Sequence, residues 1–148
     1  MLALALDFSP TMLAAARERF AGDPTITIVE HNMDTLLPDL GRFDAVVSSF
    51  AIHHCMHERK QSLYEEIFAA LMPGGVFCNL EYVASSSTEM HARFLQNMGW
   101  TSESEDPSNK LLDMETQLGW LRVLGFKDVD CYWKWLELAL LVGFKPAQ

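Results

Sequence analysis

The sequence predicts an α/β domain in which a mostly parallel sheet carries helices on its faces and a C-terminal antiparallel strand pair completes it. Three observations lead there. Short apolar or β-branched runs alternate with stretches whose apolar residues recur at helical spacing, the pattern of a parallel sheet with crossover helices. The first apolar run ends in Asp7 and is followed by Ser9 and Pro10, a strand, turn and helix start. The last two runs, residues 128–134 and 136–144, are joined by a tight turn and add an antiparallel edge.

Taken in order, residues 2–6 are Leu and Ala throughout and read as a strand. Ser is a favoured N-cap and Pro a favoured first helical residue, so a helix begins at Pro10. Asp7 therefore lies at the carboxyl end of a strand, where open α/β sheets bind ligands. Its carboxylate can accept two hydrogen bonds from a ribose diol, or be an ordinary solvated loop aspartate. Met12, Leu13, Ala16 and Phe20 fall at helical spacing, and the helix is expected to stop near Gly22. Residues 25–29 are a short β-branched strand that leads into the polar cluster Glu30-His-Asn-Met-Asp34. Residues 43–48 form the next strand, which runs into Ser49-Phe-Ala-Ile-His-His54. Leu63, Ile67 and Leu71 recur every four residues and mark an amphipathic helix from Glu58, broken by Pro73-Gly74-Gly75. Residues 76–80 are a fourth strand that ends at Glu81. Ser86 and Glu89 have the spacing of a capping box for a helix carrying Met90, Phe94, Leu95 and Met98. Residues 101–110 are polar, contain Pro107 and read as a loop. Met114, Leu118 and Leu121 mark a last helix, closed by Gly125.

A chain of 148 residues, 49% of them hydrophobic, is expected to be one domain with a full core, residues 1–148. No stretch approaches the ~20 apolar residues that span a membrane, and residues 2–6 are too short for a signal peptide. Cys55, Cys78 and Cys131 are odd in number and far apart, which points to free thiols in a reducing cytoplasm. A net charge of −9 disfavours nucleic acid and anionic membranes and favours a small-molecule partner.

Four segments together resemble a class I S-adenosylmethionine-dependent methyltransferase over essentially the whole chain. Asp7-Phe-Ser-Pro-Thr-Met-Leu13 is similar to that family's second-strand ending, and Asn32-Met-Asp34 to its third. Phe43-Asp-Ala-Val-Val-Ser-Ser-Phe-Ala-Ile-His-His54 is similar to the fourth strand and its loop, and Leu71-Met-Pro-Gly-Gly-Val-Phe77 to the approach to the fifth. The resemblance implies a Rossmann-like three-layer sandwich and S-adenosyl-L-methionine as cofactor. It implies that Asp7 holds the ribose hydroxyls, with Phe8 and Met12 packed near the adenine and ribose. Met33 and Asp34 flank the adenine, and Ser49 and Phe50 lie near the methionine part. Core packing is the alternative for Met12, Met33 and Phe50. The family's first strand and glycine-rich turn have no counterpart here: the eight glycines show no G-x-G spacing. An N-terminally truncated domain is therefore expected, with three arrangements open: a longer parent chain, a strand donated by a partner, or direct pairing of the second and fourth strands. Weak cofactor binding by this chain alone and a homodimer through the N-terminal strand are the corresponding expectations.

Methyl transfer from a sulfonium is an in-line displacement in which the protein mainly binds and orients. His53 and His54 follow a strand end and are the candidate general bases, His53 the preferred one, with a purely pocket-shaping role as the alternative. His53, Cys55 and His57 raise a metal site, but no further ligand lies nearby to complete a zinc spacing, and no metal is expected. Residues 86–110 are expected to form a cap over the cleft. There Met90, Phe94, Met98 and Trp100 suit an apolar or aromatic methyl acceptor, or else pack on the sheet. Two other classes stay open: a non-catalytic scaffold or regulatory subunit of the same fold, and a nicotinamide-dependent dehydrogenase, in which an acid after the second strand also reads a ribose.

Overall fold

The computed structural model describes residues 2–148. Met1, the first residue of the expected domain, lies outside the described residues. The chain divides into two compact units, one ending at Pro38 and the other Asp39–Gln148.

In the first unit, β1 (Ala3–Asp7) and β2 (Ile26–Glu30) pair in parallel across α1 (Pro10–Arg19). The start of α1 is as read from the sequence. Ser9 caps it by accepting from the Met12 amide, and Pro10 opens its first turn. The Asp7 Oδ1 accepts from the Ser9 amide at 2.8 Å, which fixes the turn between strand and helix. Gly22 has a φ of +81°, the left-handed value that ends the segment.

The second unit holds a four-stranded sheet in the order β3-β4-β6-β5. β3 (Phe43–Ser49) and β4 (Leu71–Tyr82) are parallel and linked by α2 (His57–Ala70). Two helices, α3 (Thr88–Met98) and α4 (Met114–Leu124), precede β5 (Lys127–Trp135) and β6 (Leu138–Phe144), which form the expected antiparallel pair. β6 also pairs antiparallel with β4. The architecture is thus α/β, with parallel and antiparallel pairing in one sheet. The first unit thus holds a two-stranded sheet, β1-β2, and the second unit a four-stranded one.

The core of this unit is aromatic and aliphatic. Leu63, Tyr64 and Ile67 of α2, Phe77 of β4 and Leu118 and Leu121 of α4 are all buried. Tyr64 meets Phe77 edge-on at 5.4 Å, and Phe68 meets Phe126 at 4.8 Å. A buried polar chain joins three elements. Asn79 Nδ2 donates to the Tyr64 hydroxyl, which donates to Gln117 Oε1 at 2.7 Å, and Gln117 Nε2 donates to the Leu112 carbonyl. Burial pushes the Tyr64 phenol well above its ordinary pKa, so it stays a donor.

Two local readings are corrected. The N-cap of α3 is Ser87, whose side chain accepts from the Met90 amide, not Ser86; Glu89 then falls in the first turn without closing a capping box. Ser85, Ser86 and Ser87 offer three caps in a row, and Ser85 is engaged elsewhere, by Glu137. Pro73-Gly74-Gly75 does not separate helix from strand, because β4 already begins at Leu71, paired with Phe43. A register shift between Phe43 and Ala45 absorbs the irregularity, and Lys145 donates to the Gly75 carbonyl. Among the described residues no helix is long and apolar enough to cross a membrane, and the three cysteines carry free thiols.

Gly75 and Gly119 should respond oppositely to a methyl group. A Cβ at Gly75 would stand 2.9 Å from the Met72 carbonyl oxygen and 3.0 Å from that of Asp44, both backbone. Gly75→Ala is expected to cost about 1–3 kcal/mol in urea unfolding. Gly119 sits inside α4 with nothing within 4 Å of its would-be Cβ, so Gly119→Ala should add roughly 0.5–1 kcal/mol.

Candidate active site

The carboxyl ends of β3 and β4 build the site. After Ser49 the chain turns sharply: Phe50 has a φ of +48°, costly for a side chain of that size, and its amide donates to the Leu80 carbonyl of β4. A single 3-10 turn, Ile52–His54, then presents two imidazoles. The His53 ring is buried. Its Nδ1 lies 2.7 Å from Oε1 of Glu81, the fully buried acid that follows Leu80 in β4. The carboxylate oxygen also accepts from the Tyr82 amide at 2.9 Å. A carboxylate only accepts, so Nδ1 carries the proton and Nε2 is left as the basic nitrogen.

His54 is oriented by a second acid through a hydroxyl. Ser108 Oγ donates to Asp106 Oδ1 at 2.7 Å and lies 2.8 Å from His54 Nδ1. With its proton committed to Asp106, the hydroxyl accepts from Nδ1–H. Burial, then the neighbouring His53, holds the His54 pKa below the usual imidazole value. The ring centroids of the two histidines are 3.9 Å apart.

Lys60 fixes the backbone beneath them. It is buried on α2, and its Nζ donates to the carbonyls of His53, Cys55 and Lys110. The Lys110 amide donates to the same His53 carbonyl at 2.8 Å. The 3-10 turn and the 101–110 loop are thus clipped together by one ammonium.

These groups face a cavity of about 300 Å³. One side is formed by the rings of Phe50, Tyr82, Phe94 and Trp100. Tyr82 is central among them, 4.8 Å from Phe50, 6.0 Å from Phe94 and 6.3 Å from Trp100. The remainder includes His53, His54 and the carboxylates of Glu105, Asp106 and Glu137. Behind Glu105 and Glu137 stands His91 of α3. Its Nδ1 is 2.8 Å from Glu137 and its Nε2 3.2 Å from Glu105, and Ser85 donates to Glu137 as well. Both ring nitrogens face carboxylates, an arrangement that only the imidazolium satisfies as a double donor. The hydrogen bond to Glu137 is the largest cause of a raised His91 pKa.

Of the residues named from sequence, Phe50, His53 and His54 line this one cavity, and so do Phe94 and Trp100 of the expected cap. Ser49 ends β3, exposed and paired with Leu80. Asp7, Phe8, Met12, Met33 and Asp34 lie in the first unit, after the ends of β1 and β2 and on α1. Phe8 and Met12 are more than half exposed, and Phe50 is exposed too, so core packing does not account for Met12 or Phe50. Among the described residues no group of three His, Cys, Asp or Glu is arranged to hold a metal. Sequence reasoning gave no role to Lys60, Glu81, His91, Glu105, Asp106 or Glu137. Glu81 carried the same strand-end signal as Asp7.

Comparison with known proteins supplies a frame for this geometry. A family profile described as a methyltransferase domain matches residues 2–75. The chain is 28% identical over 142 residues to a demethylmenaquinone methyltransferase of Clavibacter sepedonicus, covering 86% of this chain and 57% of that protein. It is 23% identical to a carboxy-S-adenosyl-L-methionine synthase of Desulforapulum autotrophicum, covering 95% of this chain and 63% of the other. The chain thus spans about 60% of the length of these curated relatives. Among solved structures it is similar in fold to an O-methyltransferase family protein from Burkholderia thailandensis, with a TM-score of 0.77 at 18% identity, over 99% of this chain and 44% of that one. A second is the apo form of the S-adenosylmethionine-dependent methyltransferase SibL, with a TM-score of 0.72 at 19% identity, over the same shares.

The His91 clamp should depend on pH. A histidine whose folded pKa is raised stabilises fully below its unfolded value of ~6.5 and loses that contribution as pH rises through the folded pKa. Protection of residues 101–110 against hydrogen exchange, corrected for intrinsic rates, should therefore fall between pH 6 and pH 9. Glu105→Gln should remove most of that change. Equal protection at both pH values in the unsubstituted chain would rule the clamp out.

Proposed function

Because the chain belongs to the methyltransferase-domain family, we propose that it serves methyl transfer from S-adenosylmethionine to a small-molecule acceptor held against His53. The observation that carries the reading is the buried His53–Glu81 pair at the edge of an aromatic cavity. It orients an imidazole with Nδ1 committed and Nε2 available, which is what proton removal from an acceptor requires.

When bound, S-adenosylmethionine supplies the activated methyl on its sulfonium. The residues of the chain fit the group in character. Asp7 presents a carboxylate at the end of β1, with Oδ1 already oriented by the Ser9 amide, and is suited to accept from the ribose hydroxyls. Phe8 and Met12 are exposed apolar groups beside it, suited to the adenine and ribose. Met33 gives a thioether contact to the purine and Asp34 an acceptor for its exocyclic amine. By the family resemblance, Ser49 and Phe50 would hold the methionine part. His53 Nε2 then receives the proton of the acceptor, and Glu81 stabilises the resulting imidazolium. His54, whose pKa burial lowers, is the second base lining the same cavity.

Calorimetry with S-adenosylmethionine on the full gene product tests the nucleoside contacts. Asp7→Ala and Asp34→Ala should each weaken binding by roughly 1.5–3 kcal/mol, the loss of a charged hydrogen-bond partner. Unchanged affinity in both would end the assignment. With radiolabelled methyl groups and a panel of phenols and amines, His53→Ala should lower transfer by about 10²–10⁴-fold. Glu81→Gln should lower it less and shift its pH profile, whereas a structural loss alone would lower the amount of folded protein and leave the profile in place.

A further inference from the structure

We propose that the cavity beside His53 selects an acceptor with a positively charged nitrogen borne on, or one or two carbons from, a flat ring. The proposal rests on the reading of this cavity as the acceptor site. It starts from the charge on the wall. Glu105, Asp106 and Glu137 contribute three carboxylates, and none of the residues lining the cavity is Lys or Arg. One balancing charge stands behind them, the His91 imidazolium shared by Glu105 and Glu137. The two nearby lysines are turned away onto backbone: Lys60 binds the carbonyls of His53, Cys55 and Lys110, and Lys110 binds those of Pro107 and Ser108. Both bonds from Ser108 fall on Asp106 Oδ1, so Oδ2 is not what they engage. An anionic ligand would meet repulsion here, and a neutral hydroxyl would gain nothing from the excess of negative charge.

The aromatic part of the lining suits the same ligand. Phe50, Tyr82, Phe94 and Trp100 present four rings, with Phe94 and Trp100 perpendicular at 6.0 Å. Aromatic faces attract a cation and also stack on a planar group. The cavity of about 300 Å³ has room for one or two fused rings with a short amine. Before such a nitrogen can act as a nucleophile it must lose a proton. The proton passes to His53 Nε2, the nitrogen regains its lone pair, and the imidazolium that forms faces Glu81 at 2.7 Å. The charge that draws the ligand in and the base that deprotonates it therefore line the same cavity.

Three probes of similar size and different charge test this at pH 7: phenethylamine, 2-phenylethanol and phenylacetate. They are titrated calorimetrically into the full gene product without cofactor, and S-adenosylmethionine affinity is measured on the same samples. The ammonium probe should bind at least tenfold more tightly than the alcohol, and the carboxylate more weakly than either. Raised salt should shrink the difference. Asp106→Asn and Glu105→Gln should each reduce the ratio of amine to alcohol affinity severalfold, with circular dichroism of the same samples reporting that the chain is folded; Trp100→Leu should weaken both the amine and the alcohol. Equal binding of the three probes, tighter binding of the carboxylate, binding of none, or a preference that survives both acid substitutions would overturn the proposal. Cation preference in a protein that does not bind S-adenosylmethionine would instead overturn the methyl-transfer reading, and cofactor binding without the preference would overturn this proposal alone.

Discussion

The contact between His53 and Glu81 is the constraint on which the site depends. Each lies at the carboxyl end of one of two parallel strands, and both side chains are buried. Glu81 Oε1 accepts twice, from the imidazole and from the Tyr82 amide, while Oε2 is buried without a hydrogen-bond partner among the described residues, so the carboxylate depends on the two bonds to one oxygen. Removing one partner of such a pair costs about 3–5 kcal/mol, because the other is left uncompensated. The pair therefore requires the 3-10 turn to hold its place, and Lys60 secures that turn from below through three backbone carbonyls. Burial lowers the Lys60 pKa, while the Glu81 charge works in the opposite direction. The acid, the imidazole and the ammonium thus share one buried region, in which the Glu81 charge favours the charged form of Lys60.

That arrangement explains why the pieces of the site were unequally legible in the sequence. The strands and helices of both units follow the hydrophobic periods, and Ser9-Pro10 and Gly125 mark true ends. The α2 helix announced its buried face, and Lys60 lies on it, three residues before Leu63 and seven before Ile67. Its position among apolar neighbours was readable; its three carbonyl partners, contributed by the turn before the helix and by residue 110, were not. His53 and His54 were visible because they follow a strand end. Glu81 followed one too, but nothing local told which strand would lie beside which. The His91 cluster was out of reach in the same sense. Glu105 and Glu137 are 14 and 46 residues away from it, one in a loop with no period and one in the turn between two strands. Side chains brought together by topology leave no spacing to read.

Exposure settles what composition could not. Met and Phe at helical or strand spacing are ordinarily core. Met12 and Phe8 are instead open to solvent beside Asp7, and Phe50 adopts a left-handed backbone conformation rather than tucking its ring into the sheet. Large apolar groups kept out of a core that had room for aromatics elsewhere are the residues whose placement folding alone does not explain. Phe8 directly follows β1 in the first unit and Phe50 directly follows β3 in the second, the strand ends at which α/β folds carry their ligands.

The second unit also divides by the kind of interaction that holds it. Between α2, β4 and α4 the contacts are rings and aliphatic side chains, supplemented by one buried polar chain through Tyr64. The 101–110 loop is held differently: Asp106 and Ser108 serve one another and His54, Glu105 serves His91, and Lys110 spends its ammonium on its own loop. Apolar packing is indifferent to protonation and salt, whereas these bonds are not. The polar wall of the cavity thus stands on the part of the unit that responds to charge, and its aromatic wall reaches back, through Phe94 of α3 and Tyr82 of β4, to the part that does not. Charge on a bound ligand would therefore act on the loop before it acted on the sheet, because the loop is held by bonds that depend on charge.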